Sequence, residues 1–137
     1  MAPPQELFLS HSDQDRAFAE RLADMLIRHG LPVWYSRRAI LGARQWHDEI
    51  GAALRRCDWF VLVLSPAAVA SRWVKRELLY ALQHERFDER IVPVLHQDCD
   101  FEQLSWTLSS FERVHFTASF DAGCQALLQV WGVGYRP

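Results

Sequence analysis

Hydrophobic positions along the chain alternate between short solid runs and longer stretches with helical spacing. Glu6 to Ser10 (ELFLS) is a brief apolar run that stops at polar residues, and it reads as a first strand. Ser12 or Asp13 is placed to cap a helix. Phe18, Leu22, Met25 and Leu26 then recur at helical spacing until Gly30 stops the helix. Pro32 to Tyr35 gives a second strand. Ser36 to Gln45 is an arginine-bearing loop with Gly42 in it, and a helix from about Trp46 places Ile50 and Leu54 on one face. Trp59 to Leu64 (WFVLVL) has no polar alternation, the mark of a central parallel strand buried on both sides.

Ser65-Pro66 ends that strand, and Ser71 starts a helix with Val74, Leu78 and Leu82 along its core stripe. Ile91 to Leu95 (IVPVL) is a fourth strand. Its Pro93 lacks a ladder donor, so the sequence calls for a bulge or an edge-like position there. Asp98 to Arg113 reads as irregular with one helical turn, Val114 to Phe116 as a fifth strand, and Phe120 to Trp131 as a closing helix.

Strands and helices that alternate in this way predict an α/β fold in three layers. The specific expectation is a flavodoxin-like, five-stranded parallel sheet in the order 2-1-3-4-5, flanked by helices. A site is then expected beyond the C-terminal ends of the strands, at the switch point. That rim gathers Ser10 to Asp13, the loop after Tyr35, Ser65-Pro66 and the start of the helix bearing Trp73. The chain shows no internal repeat, low-complexity tract or second domain.

Composition narrows the function. At 137 residues the chain suits one domain with one core. A formal net charge of −2 argues against general nucleic-acid binding, although Arg37, Arg38 and Arg44 cluster in one loop. No apolar run approaches the roughly 20 residues of a membrane span. The N-terminus lacks the pattern of a secretory signal. Three cysteines, Cys57, Cys99 and Cys124, form no CxxC pair and fit reduced thiols in a cytoplasmic protein. The histidines are scattered, and no metal site is expected.

Several chemistries fail at the rim. Receiver phosphotransfer needs an aspartate at the end of strand three, where this chain has Ser65. A bound dinucleotide cofactor needs GxGxxG after strand one, where it has Ser10-His11-Ser12-Asp13. No GxSxG elbow is present. What remains is Glu77, four residues after Trp73 and so on one helix stripe with it, beside the stripe of Val74 and Leu78. A carboxylate against an indole stabilises the positive charge that develops when an N-glycosidic bond breaks. With a leaving group that is already cationic, one carboxylate suffices. By spacing alone, the ordinary reading of the pair is a surface glutamate near Lys75 or Arg76 beside a packing tryptophan.

The same segments, in the same order, resemble the Toll/interleukin-1 receptor (TIR) domains of bacterial type. Phe8-Leu9-Ser10-His11-Ser12 with Asp13 and Asp15 resembles the family's first-strand box. Leu31 to Tyr35 resembles its second strand, and Ile40 through Gly42 with Trp46 its BB loop. Arg56 to Pro66 is similar to the third strand and its Ser-Pro exit. Trp73 to Leu78 resembles the helix with the catalytic glutamate, and Ile91-Val92-Pro93-Val94 the fourth strand, which makes Pro93 a family feature. The likeness spans about residues 5 to 131 and implies one TIR-like domain over 1–137. Ser36 departs from the pattern, since many members carry Asp there.

The resemblance implies NAD⁺ cleavage to nicotinamide and ADP-ribose or a cyclic isomer, in bacterial antiphage immunity, with NAD⁺ as substrate and no cofactor. It implies Glu77 as the catalytic residue and Trp73 as a pocket wall. Ser10 and His11 line the strand-one end, and Tyr35, Arg37 and Trp46 bound the entrance. It also implies self-assembly through the BB loop, with Ser36, Arg38, Ile40, Leu41, Gly42 and Arg44 at the interface, and a sensor domain or partner protein. The alternatives are a non-enzymatic scaffold binding other TIR domains, and a nucleoside hydrolase or deoxyribosyltransferase.

Overall fold

The computed structural model describes residues 2–36 and 43–137, with side chains from 46 onward in the second stretch. Five strands, β1 (Leu7–Ser10), β2 (Val33–Tyr35), β3 (Trp59–Leu64), β4 (Ile91–Leu95) and β5 (Val114–His115), form one parallel sheet in the order β2-β1-β3-β4-β5. This is the predicted flavodoxin-like order. Five helices accompany them among the described residues: α1 (Arg16–Arg28), α2 (Ala43–Arg56), α3 (Pro66–Val69), α4 (Arg72–Gln83) and α5 (Phe120–Gln129).

Strand alternation sorts the core into two layers. Leu7, Leu9, Val61, Val63, Val92 and Val94 pack with residues of α1 and α5, while Phe8, Phe60, Leu62, Leu64, Ile91 and Leu95 pack with those of α2 and α4. Every side chain of β3 is buried, which explains its unbroken apolar sequence. Each contributes about 1.5–3 kcal/mol by leaving water. Phe8 and Phe60 stack across neighbouring strands at 5.3 Å between ring centroids.

Pro93 lies where a missing donor costs least. The carbonyl of Leu95 accepts from Phe116 N–H, so Leu95 and, two residues earlier, Pro93 face the β5 side of the strand. β5 pairs only with Val94 and Leu95, and Pro93 falls short of it. The edge-like alternative was the correct one.

The structure moves some expected boundaries. The second long helix starts at Ala43 rather than about Trp46, and α5 ends at Gln129. Phe116 falls just outside β5. The segment between β4 and β5 holds two 3₁₀ turns, Phe101–Gln103 and Trp106–Ser110, where one helical turn was expected. α3 was not expected at all. Ser65-Pro66 is both a strand exit and a helix start, because Ser65 Oγ accepts from Ala68 N–H at 3.0 Å and Pro66 takes the first helical position. α1 stops as predicted, at a Gly30 with φ of 83°.

Candidate active site

The sheet order reverses between β1 and β3, and Ser10 is the last residue of β1, so it sits at the switch point. Alternation gives it the same side as Phe8, the layer of α2 and α4. Across that layer comes Glu77. α4 begins at Ser71, whose Oγ accepts from Val74 N–H at 3.2 Å, and its stripe of Val74, Leu78 and Ala81 is buried. Glu77 adjoins that stripe and is itself only 3% exposed.

Ser10 Oγ donates to Glu77 Oε1 at 2.7 Å, across 67 residues of sequence. A buried carboxylate is costly without such donors, and this contact makes Glu77 an interior group rather than a surface one. His11, the next residue, is also buried, with Nδ1 2.8 Å from the carbonyl oxygen of Ser12, and its ring tilts against Tyr35 at 6.2 Å. An exposed loop histidine is therefore excluded.

A second group forms the wall. Trp46 Nε1–H donates to Ser36 Oγ at 2.7 Å, and the Trp46 ring meets the edge of Trp73 at 4.2 Å. The Arg76 guanidinium lies 5.0 Å from the Trp73 ring centre. Glu77, Trp73, Tyr80, His47, Arg55 and Arg76 help line a cleft of about 290 Å³ between α2 and α4. A larger cleft, about 840 Å³, lies at the other end of the sheet, where Trp59, Ile91 and Val114 begin their strands. It holds neither Glu77 nor any other predicted site residue.

Two of the expected site residues are tied to each other. Ser36, expected at an assembly interface, is 5% exposed and its hydroxyl holds Trp46. Trp46, expected to bound the entrance, is 8% exposed and packs against Trp73. The indole needs an acceptor once buried, and Ser36 is the group within reach. Arg37, Arg38, Ile40, Leu41 and Gly42 lie outside the described residues. Of Arg44, only its place in α2 is described.

The sequence also missed a buried group. Ser65 Oγ donates to Asp15 Oδ2 at 2.5 Å, and His96 Nε2 lies 3.9 Å from Asp15 Oδ1. His96 stacks on Phe18 at 3.9 Å between ring centres. Asp15 stood within the first-strand box, but nothing in its spacing points 50 residues on to Ser65. Among the described residues no helix is long and apolar enough to cross a membrane, and no cluster of three or more His, Cys, Asp or Glu side chains is arranged to hold a metal ion.

A five-stranded parallel sheet in the order β2-β1-β3-β4-β5, flanked by helices, is the architecture of the class the sequence resembles. The chain belongs to the TIR domain family, whose sequence model matches residues 7–128. It is 29% identical over 120 residues to a Paracoccus denitrificans protein named NAD(+) hydrolase PdTIR, covering 86% of this chain and 40% of that one. A Bacteroides thetaiotaomicron protein named 2' cyclic ADP-D-ribose synthase BtTIR is 23% identical over 116 residues, covering 83% of this chain and 40% of its own length. A metazoan TIR-STING receptor from C. gigas, solved with 2',3'-cGAMP, superposes with a TM-score of 0.73 at 23% identity. That match covers 93% of this chain and 39% of the receptor, and it speaks for the fold. The chain thus spans about two fifths of the length of these two curated relatives.

Proposed function

We propose that this domain breaks the nicotinamide–ribose bond of NAD⁺, giving nicotinamide and either ADP-ribose or a cyclic ADP-ribose isomer. The observation that carries the reading is the buried Ser10–Glu77 hydrogen bond at the switch point of a TIR fold. The names of the Paracoccus and Bacteroides relatives support the same chemistry.

The mechanism follows from charge. Nicotinamide in NAD⁺ carries a positive pyridinium nitrogen. When the bond from that nitrogen to the ribose carbon breaks, the bonding electron pair leaves with the nitrogen, and nicotinamide departs neutral. Positive charge passes to the sugar as an oxocarbenium-like state. The Glu77 carboxylate stabilises that charge from a site shielded from water, where it acts more strongly than in bulk solvent. Ser10 fixes the carboxylate's orientation. Water then adds to the ribose carbon and releases a proton, or an ADP-ribose hydroxyl adds instead and closes a ring. No general acid is needed. NAD⁺ is the substrate, and no separate cofactor enters. Arg55 and Arg76 beside the cleft favour an anionic substrate such as a pyrophosphate.

The same reading includes self-assembly through the segment from Ser36 to Arg44, cytoplasmic action, and a role in antiphage immunity triggered by a sensor domain or partner. A contact between unlike faces that does not close on itself builds open filaments. One experiment tests both parts: nicotinamide release from NAD⁺ is followed by chromatography over a range of protein concentrations, for wild type and Glu77→Ala. Release by wild type alone, with a rate per molecule that rises with concentration, is the expected result. Equal inactivity of both proteins under crowding defeats the enzyme reading and leaves a scaffold. A rate per molecule that stays flat defeats the assembly.

A further inference from the structure

We propose that Asp15 is a positioning residue for Glu77, acting through Ser65; the proposal rests on Glu77 as the reacting carboxylate. Asp15 is 7% exposed and Ser65 is fully buried. The Ser65 hydroxyl makes two bonds at once. It donates its proton to Asp15 Oδ2 at 2.5 Å and accepts from Ala68 N–H, in the first turn of α3, at 3.0 Å. From there the path to Glu77 is continuous. Ser71 N–H bonds to the Ala68 carbonyl at 3.0 Å, Ser71 caps α4, and Glu77 lies two turns along that helix.

The other end of the path returns to the same place. Asp15 closes the turn that follows β1, its N–H bonding to the Ser12 carbonyl at 2.9 Å, and Ser10 ends β1 two residues before that turn. The β1–α1 segment and the α3–α4 unit are therefore fastened at two points, Ser10 to Glu77 and Ser65 to Asp15. Core packing of Val74, Leu78 and Ala81 seats α4, and the two hydrogen bonds fix where its start and its Glu77 carboxylate stand against the β1–α1 segment. His96, 3.9 Å from Asp15 Oδ1, brings the exit of β4 to the same carboxylate. Each oxygen of Asp15 thus faces a different strand exit. Displacement of a reacting group by about 1 Å costs on the order of a hundredfold in rate, so a fastening of this kind has a kinetic signature.

The test compares Asp15→Ala, Asp15→Asn and Ser65→Ala with wild type in two measurements. The first is kcat and KM for nicotinamide release from NAD⁺. The second is the pH titration of the Glu77 side-chain carboxyl followed by ¹³C NMR. We expect kcat to fall by about tenfold or more in Asp15→Ala with KM changed by less than about twofold. Asp15→Asn should recover much of that loss, because its amide oxygen still accepts from Ser65. The Glu77 titration midpoint should move in Asp15→Ala and Ser65→Ala and return toward wild type in Asp15→Asn. An unchanged kcat in folded Asp15→Ala overturns the proposal, and so does an Asp15→Asn as impaired as Asp15→Ala. If Asp15→Ala does not fold, Ser65→Ala, which deletes one hydroxyl, carries the same comparison. If wild type releases no nicotinamide, the NAD⁺ reading fails, and the Glu77 titration in Ser65→Ala, which changes no charge, decides alone: a shift sustains the fastening and an unmoved midpoint refutes it.

Discussion

Changing Ser10 to alanine removes one hydroxyl from a fully enclosed place and isolates the contact on which the site is built. Ser10 is 1% exposed and Glu77 3%, with 2.7 Å between their oxygens. A hydrogen bond to a charged group contributes about 1.5–3 kcal/mol, and a neutral one about 0.5–1.5 kcal/mol. Ser10→Ala should thus cost about 1.5–3 kcal/mol in the wild type. For a domain of this size that is a fall in Tm of about 5 to 10 °C. The partner can be varied in turn. In a Glu77→Gln background the neutral carbonyl still accepts, and the cost of Ser10→Ala should drop to about half. In Glu77→Met, with similar length and no strong acceptor, it should approach zero. Urea melts of the six proteins supply the numbers as a double-mutant cycle. A cost in the Met background equal to that in wild type refutes the reasoning, because the hydroxyl would then be acting on something other than Glu77.

Two further outcomes follow from the packing. A methyl group on Gly123 would lie 2.4 Å from ring atoms of Phe116, so Gly123→Ala should destabilise the domain by about 1–3 kcal/mol by urea melt, and Phe116→Leu should relieve part of that loss. Cys57 has its thiol pKa pushed up to about 12, first by burial and then by the Glu6 carboxylate, from an ordinary 9.0. Its proton is therefore held in the folded state and released more readily when unfolded. Stability from this group is complete below about pH 9 and is lost as pH climbs through about 12. Iodoacetamide at pH 8 should leave Cys57 unlabelled in the native protein and label it promptly in urea; rapid native labelling would contradict its burial.

Much of the fold could be read from residue pattern because its signals are local. WFVLVL announces a strand covered on both sides, and β3 is buried along its whole length. Phe18, Leu22, Met25 and Leu26, with Gly30 after them, define α1 before any tertiary contact is known. Elements shorter than a full period left no such trace. α3 spans four residues and the two 3₁₀ turns three and five, too few for a stripe to repeat. Pro93 posed a question that only the length of β5 could answer.

The site divides along the same line. Trp73 and Glu77 were visible as a helical pair, since both belong to one element. Their depth was not, because burial of Glu77 depends on a serine 67 residues away. Ser36 and Trp46 share a hydrogen bond across the start of α2, and a serine followed ten residues later by a tryptophan has no meaning until the chain has folded. Asp15 and Ser65 illustrate the limit most clearly. Each had a local reading, a place in the first-strand box and a strand exit, and neither pointed to the other.

The central claim is that Glu77 serves chemistry at an N-glycosidic bond. Its most direct test is chromatographic analysis of NAD⁺ incubated at high protein concentration with wild type and with Glu77→Ala. The account predicts nicotinamide together with ADP-ribose or a cyclic isomer from the wild type, and intact NAD⁺ from the variant. Intact NAD⁺ in both, or equal cleavage in both, contradicts it.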